Sequence, residues 1–272
     1  MEAIKQALLI GALGGLGSVT VKLLSKNGWH VFAADNQQDI LDHFKQENNI
    51  TPVFMDVTKT DTIEEAYQLI SAQTPGLDAV IHMAGVLKIG SLAELPISEL
   101  ERALDINLLG VYRVNQLFLP LLLPRRGRIL LLSSEVARQT AAPFNGIYTI
   151  SKYALEAYSD ALRRELAFLG IKVIKIQPGP FKTDMTKNAE QLFMEAQKQS
   201  VYFKNNLSKG ISYLPRVYKK AHDPVRVARI IRKALESSHP RTVYKVKIDA
   251  SRAILDCLPV RWADKIIRRV LS

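Results

Sequence analysis

Cysteine is almost absent: the 272-residue chain has one, Cys257. A lone thiol excludes an intramolecular disulfide framework and a thiolate metal cluster. The five histidines (His30, His43, His82, His222 and His239) show no short ligand spacing, so no metal site is expected. Long apolar runs are missing too. The most apolar later stretch, Val114 to Pro124, holds Asn115, Gln116 and two prolines. No run approaches the roughly 18 to 20 residues of a membrane span. The apolar start is broken by Gly11, Gly14, Gly15 and Gly17, and a charged region without a convincing small-residue cleavage site follows, unlike a signal peptide. A soluble, cytoplasmic chain is the expectation. Internal repeats, low-complexity tracts and a linker are also lacking, so residues 1–272 read as one domain.

What is present points to a globular enzyme-sized core. The hydrophobic content is 47%, which excludes disorder, collagen and coiled coil. The net charge is +11, and it is uneven. Residues 1–212 carry 22 Lys+Arg and 21 Asp+Glu, whereas residues 213–272 carry 15 and 5. A balanced body with a basic tail argues against a nucleic-acid partner.

Strand and helix signals alternate. Strands are predicted at Ala7–Ile10, His30–Asp35, Pro52–Val57, Leu77–Met83, Arg128–Ser133 and Lys172–Gln177. Helices follow the first strand as far as Asn27, start at Thr60 or Asp61, and run from Ile97 to Leu119. Strands apolar on both faces and separated by helices predict a doubly wound parallel sheet, an α/β Rossmann-type sandwich of three layers. Its ligand sites lie at the carboxyl ends of the strands. From Pro180 to Pro215 the pattern loosens. A helix (Val225–Glu236), a strand (Thr242–Lys247) and a basic amphipathic helix (Pro259–Leu271) complete the chain.

After the first strand, Gly11, Gly15 and Gly17 are spaced GxxxGxG. Neither GxGxxG nor a Walker A sequence fits here. Glycines allow a tight turn and let the backbone approach a pyrophosphate at a helix N-terminus. Asp35 ends the second strand, eighteen residues after Gly17. A carboxylate there suits the ribose hydroxyls of NAD and repels the 2′-phosphate of NADP. Its alternative is a helix cap for the next segment. Tyr148 and Lys152 stand four apart on one face of a predicted helix. An ammonium beside a phenol lowers the phenol's pKa, so the tyrosine can exchange a proton with an alcohol or ketone.

These motifs, with Ala84-Gly85, Asn107 in DINLLG, Ser133-Ser134, and Pro178-Gly179 with Thr183, resemble the short-chain dehydrogenase/reductase family in their order, from about residue 4 to 185. PFNGIYTISKYALEAYSDALRREL resembles its hydroxysteroid and retinol dehydrogenase branch most. The resemblance implies that Tyr148 is the general acid/base. It implies that Lys152 binds the nicotinamide ribose, Ser134 bonds the substrate oxygen, and Asn107 holds a water linking Lys152 to solvent. Gly11, Gly15, Leu16, Gly17, Asp35, Asp56, Val57, Ala84, Gly85, Tyr148, Lys152, Pro178, Gly179 and Thr183 would contact the cofactor, with Asp56 at the adenine. Two departures stand out. Met83 replaces the family's asparagine before Ala84-Gly85, after His82. Ser134 lies fourteen residues before Tyr148, one more than the family spacing, so either the loop 135–139 carries an insertion or Glu135 takes the serine's place.

The expected reaction is NAD-dependent oxidation of a hydrophobic secondary alcohol, or reduction of its ketone. Alternatives are an NADPH-dependent carbonyl reductase and a cofactor-binding regulator without turnover; the Tyr148/Lys152 pair argues against the regulator. The substrate is expected over residues 180–218, where Phe181, Phe193, Tyr202, Phe203 and Tyr213, with Phe144, suggest an apolar pocket or ordinary core. The resemblance implies a homodimer or homotetramer; Ala154, Ala157 and Ala161 offer a small-residue face, for that contact or for packing within the subunit. The basic extension, 248–272, has two readings. Its helix 259–272 either docks on its own domain or makes a peripheral contact with an anionic membrane.

Overall fold

Alternation along the first strand explains the architecture. In β1 (Lys5–Ile10), Ala7 and Leu9 enter one apolar core, and Leu8 and Ile10 enter another. In β2 (Trp29–Asp35), Val31 and Ala33 join the first core, and Phe32 and Ala34 the second. Such strands need cover on both faces. The computed structural model, which describes residues 4–45, 47–249 and 254–272, has that cover. The remaining strands are β3 (Ile50–Phe54), β4 (Ala79–His82), β5 (Arg128–Leu132), β6 (Lys172–Pro178) and β7 (Val243–Val246). All pair in parallel, in the order β3-β2-β1-β4-β5-β6-β7.

The helices are α1 (Gly17–Ser25), α2 (Ile40–His43), α3 (Thr60–Ser71), α4 (Ile97–Leu104), α5 (Gly110–Leu122), α6 (Gly146–Ala167), α7 (Asp184–Lys187), α8 (Ala189–Gln199), α9 (Lys204–Lys219), α10 (Val225–Glu236) and α11 (Val260–Leu271). Buried residues of α1 and α10 share one core with the sheet; those of α3, α5 and α6 share the other. The winding reverses beside β1, which lies between β2 and β4. The carboxyl ends of β1 and β4 therefore open a crevice.

Three elements differ from expectation. The ladder of β3 ends at Phe54, and Met55 to Val57 run on beneath the crevice. The helix predicted over Ile97–Leu119 is interrupted by a π turn, Asp105–Leu109, between α4 and α5. Residues 184–219 form α7, α8 and α9 rather than irregular chain. Among the described side chains, Ala196 is buried in α8, and Leu207 and Leu214 in α9. The basic helix α11 docks on α9, burying Ala263, and Asn206 Nδ2 donates to the Leu271 carbonyl at 2.8 Å. The start of the extension at 248 adjoins residues 250–253, which lie outside the described residues. No described helix is long and apolar enough to cross a membrane.

Candidate active site

The crevice is a cleft of about 510 Å³. Its floor is the loop after β1. Gly11 has φ +86°, and a Cβ there would lie 2.5 Å from the Ala84 nitrogen. A Cβ at Gly17 would lie 1.9 Å from the Gly11 carbonyl oxygen, and one at Gly15 2.9 Å from Thr183 Cβ. Backbone and side chain leave room only for glycine at these positions. Helix α1 starts at Gly17 with no side-chain cap and no acidic residue in its first turn. Its N–H groups and positive dipole end suit a phosphate.

Asp35 closes one end of the cleft. It is buried; its Oδ2 accepts from Leu13 N at 2.9 Å and its Oδ1 weakly from Gln37 N at 3.4 Å. The carboxylate is thus oriented by the loop and still faces the cleft. Asp56 follows β3, where its Oδ1 accepts from the Thr58 amide and hydroxyl at 3.0 and 2.7 Å. Gly11, Gly15, Leu16, Gly17, Asp35, Asp56, Val57, Ala84, Gly85, Tyr148, Lys152, Pro178, Gly179 and Thr183 all line this one cleft, so a dinucleotide fits the residues present. Asn36, Gln37, Arg102, Ser133 and Met185 line it as well. Sequence reasoning named Ser133 only with Ser134 and missed the other four; Asn36 and Gln37 are flagged only by following Asp35, and Arg102 by nothing local.

Tyr148 sits in the first turn of α6, half-buried, with the Ser134 side chain acting on its phenol. Ser134 and Tyr148 both line the cleft, whereas Glu135 does not. Glu135 turns away, and its Oε2 accepts from Asp249 N at 2.6 Å. The segment after Ser134 is tied to the C-terminal extension, since Asp256 also accepts from the Thr140 amide and hydroxyl. Before α6 the chain passes through Phe144 at φ 65°, a left-handed conformation that costs a bulky residue roughly 1–3 kcal/mol. The Phe144 carbonyl accepts from Gly90 N at 2.8 Å, and its ring packs on Phe203.

Lys152 is buried one turn later. Its Nζ donates to the Leu132 carbonyl at 2.9 Å and lies 5.7 Å from the Tyr148 ring centroid. Burial brings its pKa down to about 8, opposed by the charge of Glu156. Burial also pushes the Tyr148 phenol up to about 12; the Ser134 hydrogen bond opposes the rise and the charge of Glu135 adds to it. Lys152 is not among the groups that shift the phenol, so the expected lowering by its ammonium does not appear. At neutral pH Tyr148 holds its proton.

Asn107 does not line the cleft. It lies in the π turn, fully buried; its Oδ1 accepts from Val86 N at 2.8 Å, and its Nδ2 donates to the Val86 carbonyl at 3.0 Å and to Ser151 Oγ at 2.9 Å. A Cβ on Gly85 would stand 3.2 Å from Asn107 Oδ1 and 3.6 Å from Lys152 Nζ. Asn107 thus clamps the cleft wall directly behind Lys152. Ser133 Oγ, beside Ser134, is buried without a hydrogen-bond partner among the described residues.

The aromatics divide. Phe193 and Phe203 pack with Phe144, Leu87, Ile89 and Leu207 in a separate apolar cluster, and Phe181 lies in the main core at the cleft wall. Tyr202 and Tyr213 are exposed, so they build no pocket wall. Where the family's asparagine is replaced, Met83 keeps the strand continuous by donating its N–H to the Ile10 carbonyl at 2.9 Å. His82 supplies a polar link instead: its Nε2 lies 2.8 Å from Asn115 Oδ1, and Asn115 Nδ2 donates to Tyr158 OH at 3.0 Å.

A glycine-floored nucleotide cleft with a tyrosine, a serine and a lysine on its wall defines a nicotinamide-dependent oxidoreductase. The family model for short chain dehydrogenases matches residues 5–192, and the chain belongs to that family. It falls in the retinol and hydroxysteroid dehydrogenase-like branch. Retinol dehydrogenase 7 of Mus musculus is 32% identical over 90% of this chain and 81% of its own. The 17-beta-hydroxysteroid dehydrogenase type 6 of Homo sapiens is 32% identical over 97% and 88%. Among solved structures, a short-chain dehydrogenase from Streptomyces avermitilis shares the fold with a TM-score of 0.78 at 20% identity, covering 99% of this chain and 96% of that one. An alcohol dehydrogenase from Thermococcus sibiricus complexed with 5-hydroxy-NADP has a TM-score of 0.72 at 20% identity, covering 90% and 96%. Family members act on alcohols and ketones with NAD(P).

Proposed function

We propose that this enzyme interconverts a hydrophobic secondary alcohol and its ketone with NAD, using Tyr148 as the general acid/base. The carrying observation is the convergence of Tyr148, Ser134 and Lys152 on the wall of the cleft that Gly11, Gly15 and Gly17 floor. The bound nicotinamide supplies the hydride acceptor for oxidation, or the donor for reduction. Ser134 holds the substrate oxygen against Tyr148. In reduction Tyr148, protonated at neutral pH, gives its proton to the forming alkoxide. In oxidation it takes the hydroxyl proton, and the cationic Lys152 beneath it stabilises the resulting phenolate form. Asn107 fixes the strand end beside Lys152, next to the water route that the family resemblance assigns to it.

Asp35 supports NAD over NADP, because its buried carboxylate would meet the 2′-phosphate without a cationic partner beside it. Arg102 lines the cleft but belongs to α4. An apolar substrate is supported by the Phe144, Phe193 and Phe203 cluster over the tyrosine's loop, by Met185 at the cleft, and by the named substrates of the two relatives. A dehydrogenase assay with NAD and NADP across steroids, retinoids and aliphatic and small polar alcohols tests this. Faster turnover of small polar alcohols, or comparable rates with NADP, refutes the corresponding part.

Two surfaces extend the reading. Leu109 just before α5, Tyr112 on α5, and Tyr153, Ala157 and Ala161 on α6 are exposed, which supports a homodimer or homotetramer through these helices. A monomer by light scattering at micromolar concentration would refute it. On α11, Trp262 and Ile266 stay exposed beside Arg261, Lys265 and Arg269 after the helix has docked. That flank supports a peripheral contact with an anionic membrane. Liposome sedimentation unchanged by W262S/I266S would remove it.

A further inference from the structure

Tyr148, Lys152, Glu156 and Asp160 follow one another at four-residue intervals along α6 and share one of its faces. Beneath that face lies β6. Its alternation sends Val173 into the core under α6, and the next two positions on that side are Lys175 and Gln177. Both are buried, at 3% and 2% exposure. Lys175 Nζ lies 2.8 Å from Glu156 Oε2 and 2.8 Å from Asp160 Oδ1, and Gln177 Nε2 donates to Glu156 Oε1 at 2.8 Å. Glu156 is buried too, whereas Asp160 reaches the surface, 3.8 Å from Arg163.

A buried lysine in the middle of a sheet is costly unless paired. Here it anchors both ends of an acidic pair whose inner member stands one helical turn from Lys152. Lys152 and Lys175 together balance Glu156 and Asp160. We infer that Glu156, clamped by Lys175 and Gln177, is a positioning residue for the Tyr148–Lys152 pair: its fixed carboxylate keeps Lys152 cationic inside an apolar wall. The inference rests on the catalytic reading of that pair.

The other charged groups around the pair do not supply this charge. Glu135, on the 3-10 turn Glu135–Arg138, bears on Tyr148 and is engaged by Asp249 N. Asp105, in the π turn, is paired with Arg113 at 2.7 Å. On α4, Glu99 is paired with Lys88 at 2.6 Å, and Arg102 adds a positive charge at the cleft. Glu156 is the carboxylate whose charge raises the Lys152 pKa against its burial.

The test uses Glu156→Gln and the charge-balanced Glu156→Gln/Lys175→Met. The first readout is the pH dependence of Lys152 acetylation by acetic anhydride, followed by peptide mass spectrometry on protein without cofactor or substrate. The others are the melting temperature and the pH profile of kcat for alcohol oxidation. In E156Q the Lys152 midpoint should fall by about one pH unit or more. Oxidation should then drop about tenfold at pH 9 but only about twofold at pH 7, with KM within twofold, because a unit of pKa changes the cationic population by a factor of ten only above the pKa. In E156Q/K175M the melting temperature should recover while the Lys152 midpoint stays below that of the wild type. An unmoved midpoint in E156Q, or one that recovers together with the melting temperature, overturns the inference. Wild-type turnover in Tyr148→Phe would instead overturn the catalytic reading beneath it, an outcome that the labelling does not mimic.

Discussion

Acidification from pH 7 to pH 5 should remove about 2 kcal/mol of stability through His82 alone. The imidazole is fully buried at the end of β4, and desolvation holds its pKa down at about 4 against 6.5 for the free side chain. Because Asn115 Nδ2 donates to Tyr158, Asn115 Oδ1 faces His82, and the imidazole donates from Nε2–H in its neutral form. Above pH 6.5 the ring is neutral in both folded and unfolded chains, and stability does not depend on it. Below 6.5 the unfolded chain takes up a proton that the folded chain refuses, so stability falls as pH falls, and the loss levels off only below about 4. With those two values the linkage relation gives about 2 kcal/mol between pH 7 and pH 5. The control is His82→Gln, whose amide can donate to Asn115 but does not titrate in this range. Urea unfolding of both proteins at pH 7 and pH 5 isolates the difference. His30, also lowered by burial, and the carboxylates contribute equally to both and cancel. Equal losses in wild type and H82Q would refute the account. The stakes are functional, because β4 leads directly into Ala84 and Gly85 at the cleft.

Two further outcomes follow from the cleft. Gly17→Ala drives a methyl into the Gly11 carbonyl and should abolish saturable NADH binding by fluorescence at ten times the wild-type Kd, while the sheet remains folded by circular dichroism. Asp35→Ser removes the charge that opposes a 2′-phosphate, so the NADP to NAD ratio of kcat/KM should rise by about tenfold or more; an unchanged ratio would mean that Asp35 serves only to orient the Leu13 and Gln37 amides.

Sequence alone carried the nucleotide half of the site further than the proton-handling half. Glycines at 11, 15 and 17 are legible because only that residue tolerates the backbone crossing, and Asp35 because it ends an apolar run. Tyr148 and Lys152 are legible as a pair one turn apart. The continuation to Glu156 and Asp160 was equally present in the spacing, but its meaning depends on Lys175 and Gln177. Those two residues lie in a run that reads as an ordinary buried strand, and a lysine there signals nothing until α6 is seen above it. The placement of Ser134 in the cleft and of Glu135 outside it also needed three dimensions, because the ties of Glu135 to Asp249 and of Thr140 to Asp256 span more than a hundred residues. Tyr202 and Tyr213 were read as candidates for a pocket on composition, although they point to solvent.

The measurement that bears most directly on the central claim is turnover by Tyr148→Phe beside its affinity for NADH. On the proposed mechanism the phenol exchanges the substrate proton, so removing one oxygen should lower kcat by about a hundred- to ten-thousandfold. NADH affinity, set by Gly11, Gly15, Gly17 and Asp35, should stay within about threefold of wild type, a change under 1 kcal/mol. Turnover within a few-fold of wild type, in a protein that still binds NADH, would contradict the assignment of Tyr148 as acid and base.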